Sequence, residues 1–375
     1  MSISNKTILI ISPEPWGINF VSKHHYASLL VEKGNKVFFL NPPSDKMHMQ
    51  TIKENLYIID YQVNVRGVNS MPAFVRNFLN KRLINTIKKQ FIKEALDIVW
   101  SFDPYRFQNL NAWDATTRIY HSVDVHATDL EKDAVESADI VFATSDLILE
   151  KYKNWAKNTP KIKINHGVAA HFLSPIIEKV ADFRKPNYKA HVGYIGNLNI
   201  ATLDYNLLLK LVADNTDIAF YFIGPYKGSN LSQTNDYAMQ IISQIQQLPN
   251  AIFLGAKPSK ELPSYMQYLD MFLMVYRGDE FKANLANPHK TLEYLSTGKV
   301  ALSCYIDEYK DKRSLLQMAN TNAEIPTLFR NTVDHLEQYN TPTLQAKRQA
   351  YTQTQSYAQQ LERIAKALAN LKTSV

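Results

Sequence analysis

Short apolar runs alternate with amphipathic stretches along most of this chain, and this alternation constrains the fold more than any other feature. In the first half the apolar runs predict strands at Thr7–Ser12, Lys36–Leu40, Leu56–Asp60, Ile98–Phe102, Arg118–His121, Ile140–Ala143 and Lys161–Asn165. The stretches between them predict helices at Phe20–Lys33, Ala73–Leu96, Ala127–Ala138 and Asp146–Ala156. Several strands are apolar on both faces, as in a parallel sheet that helices cover on both sides.

The same alternation starts again after a break. Residues 172–189 contain Pro175, Pro186 and mixed charges, which is typical of a linker. Further strands are predicted at Ala190–Ile195, Ile218–Ile223, Ala251–Leu254, Met271–Tyr276 and Val300–Ser303. The last residues carry one apolar stripe of a long helix. We therefore predict an α/β protein with two facing Rossmann-like domains, at 1–178 and 188–342, and a C-terminal helix over 343–375 that crosses back to the first domain.

Composition excludes several classes of protein. A hydrophobic fraction of 45% with 21% charged residues is that of a globular chain of 375 residues. The net charge of +7 is spread almost evenly along the chain, which argues against a nucleic-acid-binding surface. The single cysteine, Cys304, excludes an internal disulfide and a Cys-based zinc site. No apolar run is long enough for a membrane span or a signal peptide, so we expect a cytosolic protein.

Two loops of the first domain carry candidate chemistry, because ligands of open α/β sheets bind beyond the carboxyl ends of the strands. Gly17 precedes a helix, where a glycine lets the backbone approach an anion or a sugar; an ordinary strand-to-helix turn is the alternative. His121 and Asp124 follow a strand and suit proton handling or hydroxyl recognition. Ordinary polar loop residues explain them equally well, and their spacing matches no established metal site.

In the second domain, Gly196 and Asn197 end the first strand in a G-x-x-G pattern. This pattern is not the G-x-G-x-x-G fingerprint of dinucleotide binding, so the sequence gives NAD little support. Gly224 ends the next strand, where a plain turn is the simplest interpretation.

The stretch from Asn287 to Lys299 is the most informative one. Pro288 suits the first position of a helix, so the amide groups of His289, Lys290 and Thr291 would point at whatever lies before that helix. Together with the charge of Lys290, they predict a site for a diphosphate. Glu293 lies one turn further and can accept hydrogen bonds from a ribose diol. The alternative is a capped helix with an exposed Lys–Glu pair.

These segments resemble the nucleotide-binding domain of GT-B glycosyltransferases, most closely glycosyltransferase family 4 and its relatives in bacterial envelope polysaccharide synthesis. The matching segments are VGYIGNLN, DYNLLLKLVADNTDIAFYFIGP, NAIFLGAKPSKELPSYMQYLDMFLMVYR and NPHKTLEYLSTGKVALS. In the first domain, ADIVFATSDLILEKY and the later INHGV resemble the end of the family's first domain. The resemblance is strong over 190–303 and loose before residue 139.

The resemblance implies a metal-independent, hexosyltransferase-like enzyme that retains anomeric configuration. It would move a sugar from a nucleotide donor, UDP rather than GDP, to a glycan or a lipid-linked sugar, without a further cofactor. His121 or Asp124 would assist with protons. A nucleotide-sugar epimerase on the same fold, or a non-catalytic binder of nucleotide sugars or glycans, are the alternatives.

The sequence departs from the family at three positions. The family often has a glutamate at the position of Leu285 for the donor sugar, and an arginine and a lysine at Asn197 and Leu203 for the diphosphate. Arg277, Lys282 and Lys290 are the candidates that would supply the missing charge.

A basic amphipathic stretch lies in the first domain. Residues 76–93 contain Arg76, Lys81, Arg82, Lys88, Lys89 and Lys93, and no acidic residue. Apolar residues at helical spacing lie between them, so the segment is a candidate for peripheral contact with an anionic membrane, at about 1 kcal/mol per basic residue. A helix whose apolar stripe faces the sheet and whose charges face water is the alternative.

Overall fold

The structure is a computed structural model that describes residues 3–17, 20–63, 65, 67–126, 128–174, 180–226, 236–281 and 285–373. The chain divides into two compact units. Unit 1 contains Met1–Gly167 and Tyr357–Val375, and unit 2 contains Val168–Ser356. The division thus falls before the predicted linker, and the part of the predicted C-terminal segment that precedes Tyr357 belongs to unit 2.

Unit 1 is built on one sheet whose order is β3-β4-β2-β1-β5-β6-β7-β8. Its strands are β1 Thr7–Ile11, β2 Lys36–Leu40, β3 His48–Lys53, β4 Leu56–Asp60, β5 Ile98–Ser101, β6 Thr117–Ser122, β7 Ile140–Ala143 and β8 Lys161–Lys163. They pair in parallel except for β3, which runs antiparallel to β4 at the edge. The pattern did not predict β3 because this edge strand is mostly exposed and therefore carries polar residues.

Helices cover this sheet and complete its core. They are α1 Ser22–Glu32, α2 Ala73–Phe91, α3 Glu131–Ser137, α4 Asp146–Tyr152 and α13 Tyr357–Thr373. The central strands are buried on both faces, as the continuous apolar runs predict. In α13 the predicted stripe is buried through Leu361, Ile364 and Leu368. The ring of Tyr357 stacks on His25 of α1 at a centroid distance of 4.4 Å.

Unit 2 contains a second sheet, with the order β11-β10-β9-β12-β13-β14 and all pairs parallel. Its strands are β9 Ala190–Ile195, β10 Ile218–Ile223, β11 Ala251–Gly255, β12 Met271–Met274, β13 Val300–Ser303 and β14 Gln317–Met318. Its helices are α5 Ala170–Leu173, α6 Tyr205–Asp214, α7 Asp236–Gln246, α8 Leu262–Met266, α9 Lys290–Ser296, α10 Ile325–Asp334, α11 Leu336–Tyr339 and α12 Pro342–Gln353. The two-residue strand β14 is too short for a periodic signal.

The predicted long C-terminal helix is interrupted between α12 and α13. The amide of Val168 donates to the carbonyl of Gln355 at 2.9 Å, and Val168 forms an isolated parallel bridge with Ser356. This bridge lies where the chain leaves the helical conformation, between the end of α12 at Gln353 and the start of α13 at Tyr357.

Candidate functional site

Two glycines lie side by side at the carboxyl edge of the sheet of unit 2. Gly196 follows β9 with φ +147°, and Gly224 follows β10 with φ +151°. The amide of Gly196 donates to the carbonyl of Ile223 at 2.8 Å, and a Cβ on Gly224 would overlap the carbonyl oxygen of Gly196. Both positions therefore require glycine, and of the two only Gly196 is partly exposed, because Gly224 is buried.

Lys290 brings a positive charge to this edge of the sheet. Its ammonium group lies so close to Gly196 that a Cβ on the glycine would overlap Nζ. The same Nζ is 5.6 Å from the centroid of the Tyr194 ring. Lys290 forms no ion pair with any residue that the structure describes. A half-buried cation over a glycine pair is suited to an anionic ligand.

Glu293 lies one turn further along α9, and its side chain is 21% exposed. Burial raises the pKa of this carboxyl to about 7, against the lowering effect of Lys290. Its Oε1 is 3.9 Å from Nε2 of His289. Among the described residues no donor forms a hydrogen bond with the carboxylate. A half-buried acceptor of this kind can take hydrogen bonds from hydroxyl groups of a ligand.

The start of α9 differs from the prediction. The helix begins at Lys290 rather than at Pro288. The amide of Thr291 donates to the carbonyl of Pro288 at 3.1 Å, and the amide of Leu292 donates to that of His289. The hydroxyl of Thr291 is buried against Sδ of Met274 at 3.7 Å. The prediction that the backbone amide of Thr291 faces a ligand was therefore wrong, because this amide already donates a hydrogen bond within a tight turn before the helix.

The contacts that Asn197 and Arg277 form are with residues other than Lys290. Asn197 is exposed, and its Oδ1 accepts a hydrogen bond from the amide of Asn199 at 2.8 Å. Arg277 forms an ion pair with Glu280 and lines a separate cavity of about 470 Å³. Its charge is thus already balanced by Glu280, and neither Gly196 nor Gly224 lines that cavity.

Two of the positions at which the sequence departs from the family pattern, Leu203 and Leu285, are buried in the structure. Leu203 is fully buried and forms an isolated bridge with Tyr276, so a lysine there would lie in the core. Leu285 is also buried. Lys282 lies outside the described residues.

In unit 1, His121 lies within strand β6, one residue before its end, inside an aromatic cluster. Its ring stacks on Phe102 at 4.9 Å and on Trp100 at 5.9 Å, and it is 1% exposed. Neither ring nitrogen has a hydrogen-bond partner among the described residues. Burial, with smaller effects of His166 and Lys23, lowers the pKa of His121 to about 3. The ring is therefore neutral near pH 7, and it is a weak base that suits hydrogen bonding better than proton transfer.

Asp124 and Gly17 lie in loops at the same sheet edge. Asp124 is exposed, and no hydrogen bond joins it to His121 among the described residues; its carbonyl accepts from the hydroxyl of Ser122 at 2.9 Å. A Cβ on Gly17 would meet no atom within 4 Å, so sterics do not demand glycine there. The loop after Asp124 is fixed by Lys151, which donates to the carbonyl of His126 at 2.6 Å and pairs with buried Glu131.

Sequence reasoning missed a buried lysine near His121. Lys23 in α1 is 2% exposed and forms an ion pair with Glu14. Its Nζ is 5.9 Å from the centroid of the Phe102 ring. Burial, with a smaller effect from the charge of Lys23, lowers the pKa of His166 to about 4. A lysine that opens an amphipathic helix normally faces water, so no sequence signal marks this one as buried.

The basic helix α2 is more closely packed than its sequence suggests. Arg76 is buried and pairs with Asp133 at 2.5 Å, and Lys88 pairs with Asp114 at 3.1 Å. Ile84 and Ile87 point into the core. The exposed basic residues are Lys81, Arg82, Lys89 and Lys93, and the exposed aromatic ones are Phe74 and Phe78.

Among the described residues, no three His, Cys, Asp or Glu side chains are placed to share a metal ion. No helix in the described part of the chain is both long and apolar enough to cross a membrane.

Comparison with known proteins gives one curated relative and many solved structures. No family model matches the chain. A segment of 109 residues is 29% identical to TuaH of Bacillus subtilis strain 168, which is provisionally assigned as a teichuronic acid biosynthesis glycosyltransferase. The match spans 29% of this chain and only 25% of that relative.

The solved structures match over nearly the whole chain. Sucrose-phosphate synthase from Thermosynechococcus elongatus has a TM-score of 0.74 at 11% identity and covers 99% of this chain and 100% of its own. The trehalose-6-phosphate structure from E. coli bound with UDP-2-fluoro glucose has a TM-score of 0.71 at 11% identity, over 98% and 99%. HepE from Anabaena in complex with UDP has a TM-score of 0.68 at 13% identity, over 97% and 100%. The predicted GT-B fold is thereby confirmed.

Proposed function

We propose that this protein is a glycosyltransferase that moves a sugar from a nucleotide-sugar donor to a glycan or lipid-linked sugar acceptor in bacterial cell-surface polysaccharide synthesis. The observation that carries the proposal is the ammonium group of Lys290 lying over Gly196, beside Gly224 and one turn before Glu293. The match to TuaH supports the polymer class, and the GT-B fold supports the reaction class.

The donor fits this geometry in two parts. A diphosphate would lie beside Gly196, where Lys290 neutralises its charge. A ribose diol would donate to the carboxylate of Glu293, whose ionised form is favoured by such hydrogen bonds. A uridine nucleotide is our choice, because HepE and the E. coli structure hold UDP and UDP-2-fluoro glucose.

Departure of the nucleoside diphosphate needs stabilisation of the developing negative charge. In our proposal Lys290 provides it, which makes the reaction independent of a divalent metal. Retention of configuration is proposed from the family resemblance. His121 and Asp124 stay proposed as the residues that act on the acceptor hydroxyl, His121 as a neutral hydrogen-bonding group and Asp124 as the carboxylate.

The exposed side of α2 supports a peripheral contact with the cytoplasmic face of an anionic membrane. Lys81, Arg82, Lys89 and Lys93 would contribute about 1 kcal/mol each, and Phe74 and Phe78 would enter the interface. Co-sedimentation with anionic vesicles should fall with salt, and fall again when these four residues become glutamine. Equal recovery with anionic and neutral vesicles would contradict the contact.

The proposed function is tested with a panel of nucleotide sugars and candidate acceptors. Transfer releases nucleoside diphosphate and consumes acceptor, whereas an epimerase changes the sugar without release and a non-catalytic binder only raises the melting temperature. Lys290→Met should abolish release with the preferred donor, and Lys347→Met, an exposed lysine of the same unit, should leave it unchanged. Release that is equal in both variants would refute the donor site.

A further inference from the structure

Asp124 depends on its loop for its position. The exposed carboxylate forms no hydrogen bond with a described residue, so the backbone of residues 123–126, which we call the Asp124 loop, decides where it lies. Three side chains of neighbouring elements each donate to one carbonyl of this loop: Thr144 to Val123 at 2.8 Å, Ser122 to Asp124 at 2.9 Å and Lys151 to His126 at 2.6 Å. The loop is therefore held through its carbonyl groups, and the carboxylate stays available to a ligand.

Two of these three donors meet at Glu131, the first residue of α3, whose side chain is fully buried. Lys151 forms an ion pair with its Oε2, and the hydroxyl oxygen of Ser122 lies 3.5 Å from its Oε1. The hydroxyls of Tyr120 and Tyr152 donate to the same Oε1 at 2.9 Å and 2.6 Å. Because a buried carboxylate is costly without such partners, this network fixes Glu131 and, with it, the ammonium group of Lys151.

Lys151 reaches from α4 to the loop with all three of its N–H groups engaged. Besides its contacts with Glu131 and the carbonyl of His126, its Nζ donates to the carbonyl of Thr128 at 3.2 Å. An ammonium group has three donors, so two of them hold the loop and the third is held by the carboxylate. Lys151 is thus the link between the buried network and the loop that carries Asp124.

The network leaves the other candidate residue of unit 1 in its own surroundings. Tyr120 and Ser122 of β6 point toward the network. His121 lies between them in the strand, so its ring points to the opposite face, where it stacks on Phe102 at 4.9 Å. A change at Lys151 therefore acts on the loop and leaves the His121 ring in its stack.

We propose that Lys151 is a positioning residue of the transfer reaction: held by Glu131, it fixes the Asp124 loop so that the carboxylate meets the acceptor hydroxyl. The inference rests on the proposed function, whose acceptor side it specifies. Lys151 acts without touching substrate, because protein acceptors already use its three donors. The competing role for the network is stabilisation of unit 1 alone, and the test separates the two roles.

The test compares two changes around the same carboxylate in the full chain. Lys151→Met keeps the apolar stem and removes both contacts to the loop. Tyr120→Phe is the matched control, because it removes one donor from Glu131 and its hydroxyl contacts no loop carbonyl among the described residues. At saturating donor and acceptor we expect Lys151→Met to lower kcat about 10-fold with a donor KM within about 2-fold, and Tyr120→Phe to keep kcat within about 2-fold. If Lys151→Met does not fold around an unpaired Glu131, the double change with Glu131→Gln removes both charges and takes its place.

Two further measurements use the same proteins. Asp124→Asn should lower kcat, and adding Lys151→Met should lower it no further, because both changes act through one carboxylate. Hydrogen–deuterium exchange in a peptide that contains residues 123–126 should be faster in Lys151→Met than in the unmodified protein, and unchanged in Tyr120→Phe.

Three results would overturn the inference. One is exchange in residues 123–126 that Lys151→Met leaves unchanged. Another is an equal loss of kcat in Lys151→Met and Tyr120→Phe, which would assign the network to stability alone. The third is a double variant of Asp124→Asn and Lys151→Met whose loss is the product of the two single losses. If the unmodified protein transfers no sugar, the proposed function fails, and the exchange measurement still decides whether Lys151 holds the loop.

Discussion

Glu293 affects stability through its burial and, in our proposal, also binds the donor; replacing it with glutamine tests the two roles separately. Folding raises the pKa of this carboxyl from 4.5 to about 7, mainly through burial. The folded protein therefore binds a proton more tightly than the unfolded chain does. Above pH 4.5 the unfolded chain gains by ionising this group and the folded protein does not, so Glu293 lowers stability increasingly up to about pH 7 and by a constant amount beyond it.

The size of this effect follows from the two pKa values. A difference of about 2.5 units corresponds to about 3 kcal/mol at pH 8, and to less than about 1 kcal/mol at pH 5. Glutamine has the shape of the protonated acid and carries no charge at either pH. Glu293→Gln should therefore raise the free energy of unfolding by about 3 kcal/mol at pH 8 and change it little at pH 5.

Urea unfolding followed by far-ultraviolet circular dichroism at the two pH values measures this difference, because both units contribute to that signal whereas all four tryptophans lie in unit 1. Glu337→Gln removes an exposed glutamate from the same unit and should change stability by less than about 0.5 kcal/mol at both pH values. The same Glu293→Gln protein should bind UDP-sugar about 2–3 kcal/mol more weakly, because it loses a charged acceptor for the ribose diol. A stability gain that is equal at pH 5 and pH 8 would refute the raised pKa. Unchanged donor affinity would refute the ribose contact.

The fold could be predicted largely because most strands are buried on both faces. Strands such as Lys36–Leu40 and Ala190–Ile195 appear as continuous apolar runs, and their observed bounds equal the predicted ones. The exposed edge strand His48–Lys53 has no such run, since it pairs only with β4 in the sheet and most of its residues face solvent. The break before Tyr357 was equally invisible, because the backbone contact there is with a partner distant in sequence.

Part of the candidate site's geometry could also be predicted. Gly196 and Lys290 are far apart in sequence. The carboxyl ends of parallel strands lie at one edge of the sheet, however, so a glycine that follows one strand can meet a helix that begins after another strand. The sequence does not show which individual side chains and amides are already buried or paired within the protein. Arg277 has the expected charge but is balanced by Glu280, and Thr291 has the expected position but an occupied amide.

Three further predictions follow from buried or crowded groups. Arg348→Met should cost about 2–4 kcal/mol in urea unfolding, because the carbonyls of Leu315 and Gly298 lose their buried donor. His121→Phe keeps the aromatic stack and removes the proposed hydrogen bond to the acceptor, so it should lower turnover about 10-fold at an unchanged melting temperature, with no inhibition by chelator; recovery of activity with Mg²⁺ would contradict the metal-free mechanism. Gly196→Ala should destabilise unit 2 for two separable reasons, a strained φ of +147° and overlap with Nζ of Lys290. Lys290→Met removes the ammonium group at the point of overlap, so the double variant should be more stable than the sum of the two single changes predicts, by about 0.5–3 kcal/mol. Strict additivity in this double-mutant cycle would show that the lysine does not lie over the glycine, and the proposed diphosphate site would lose its charge.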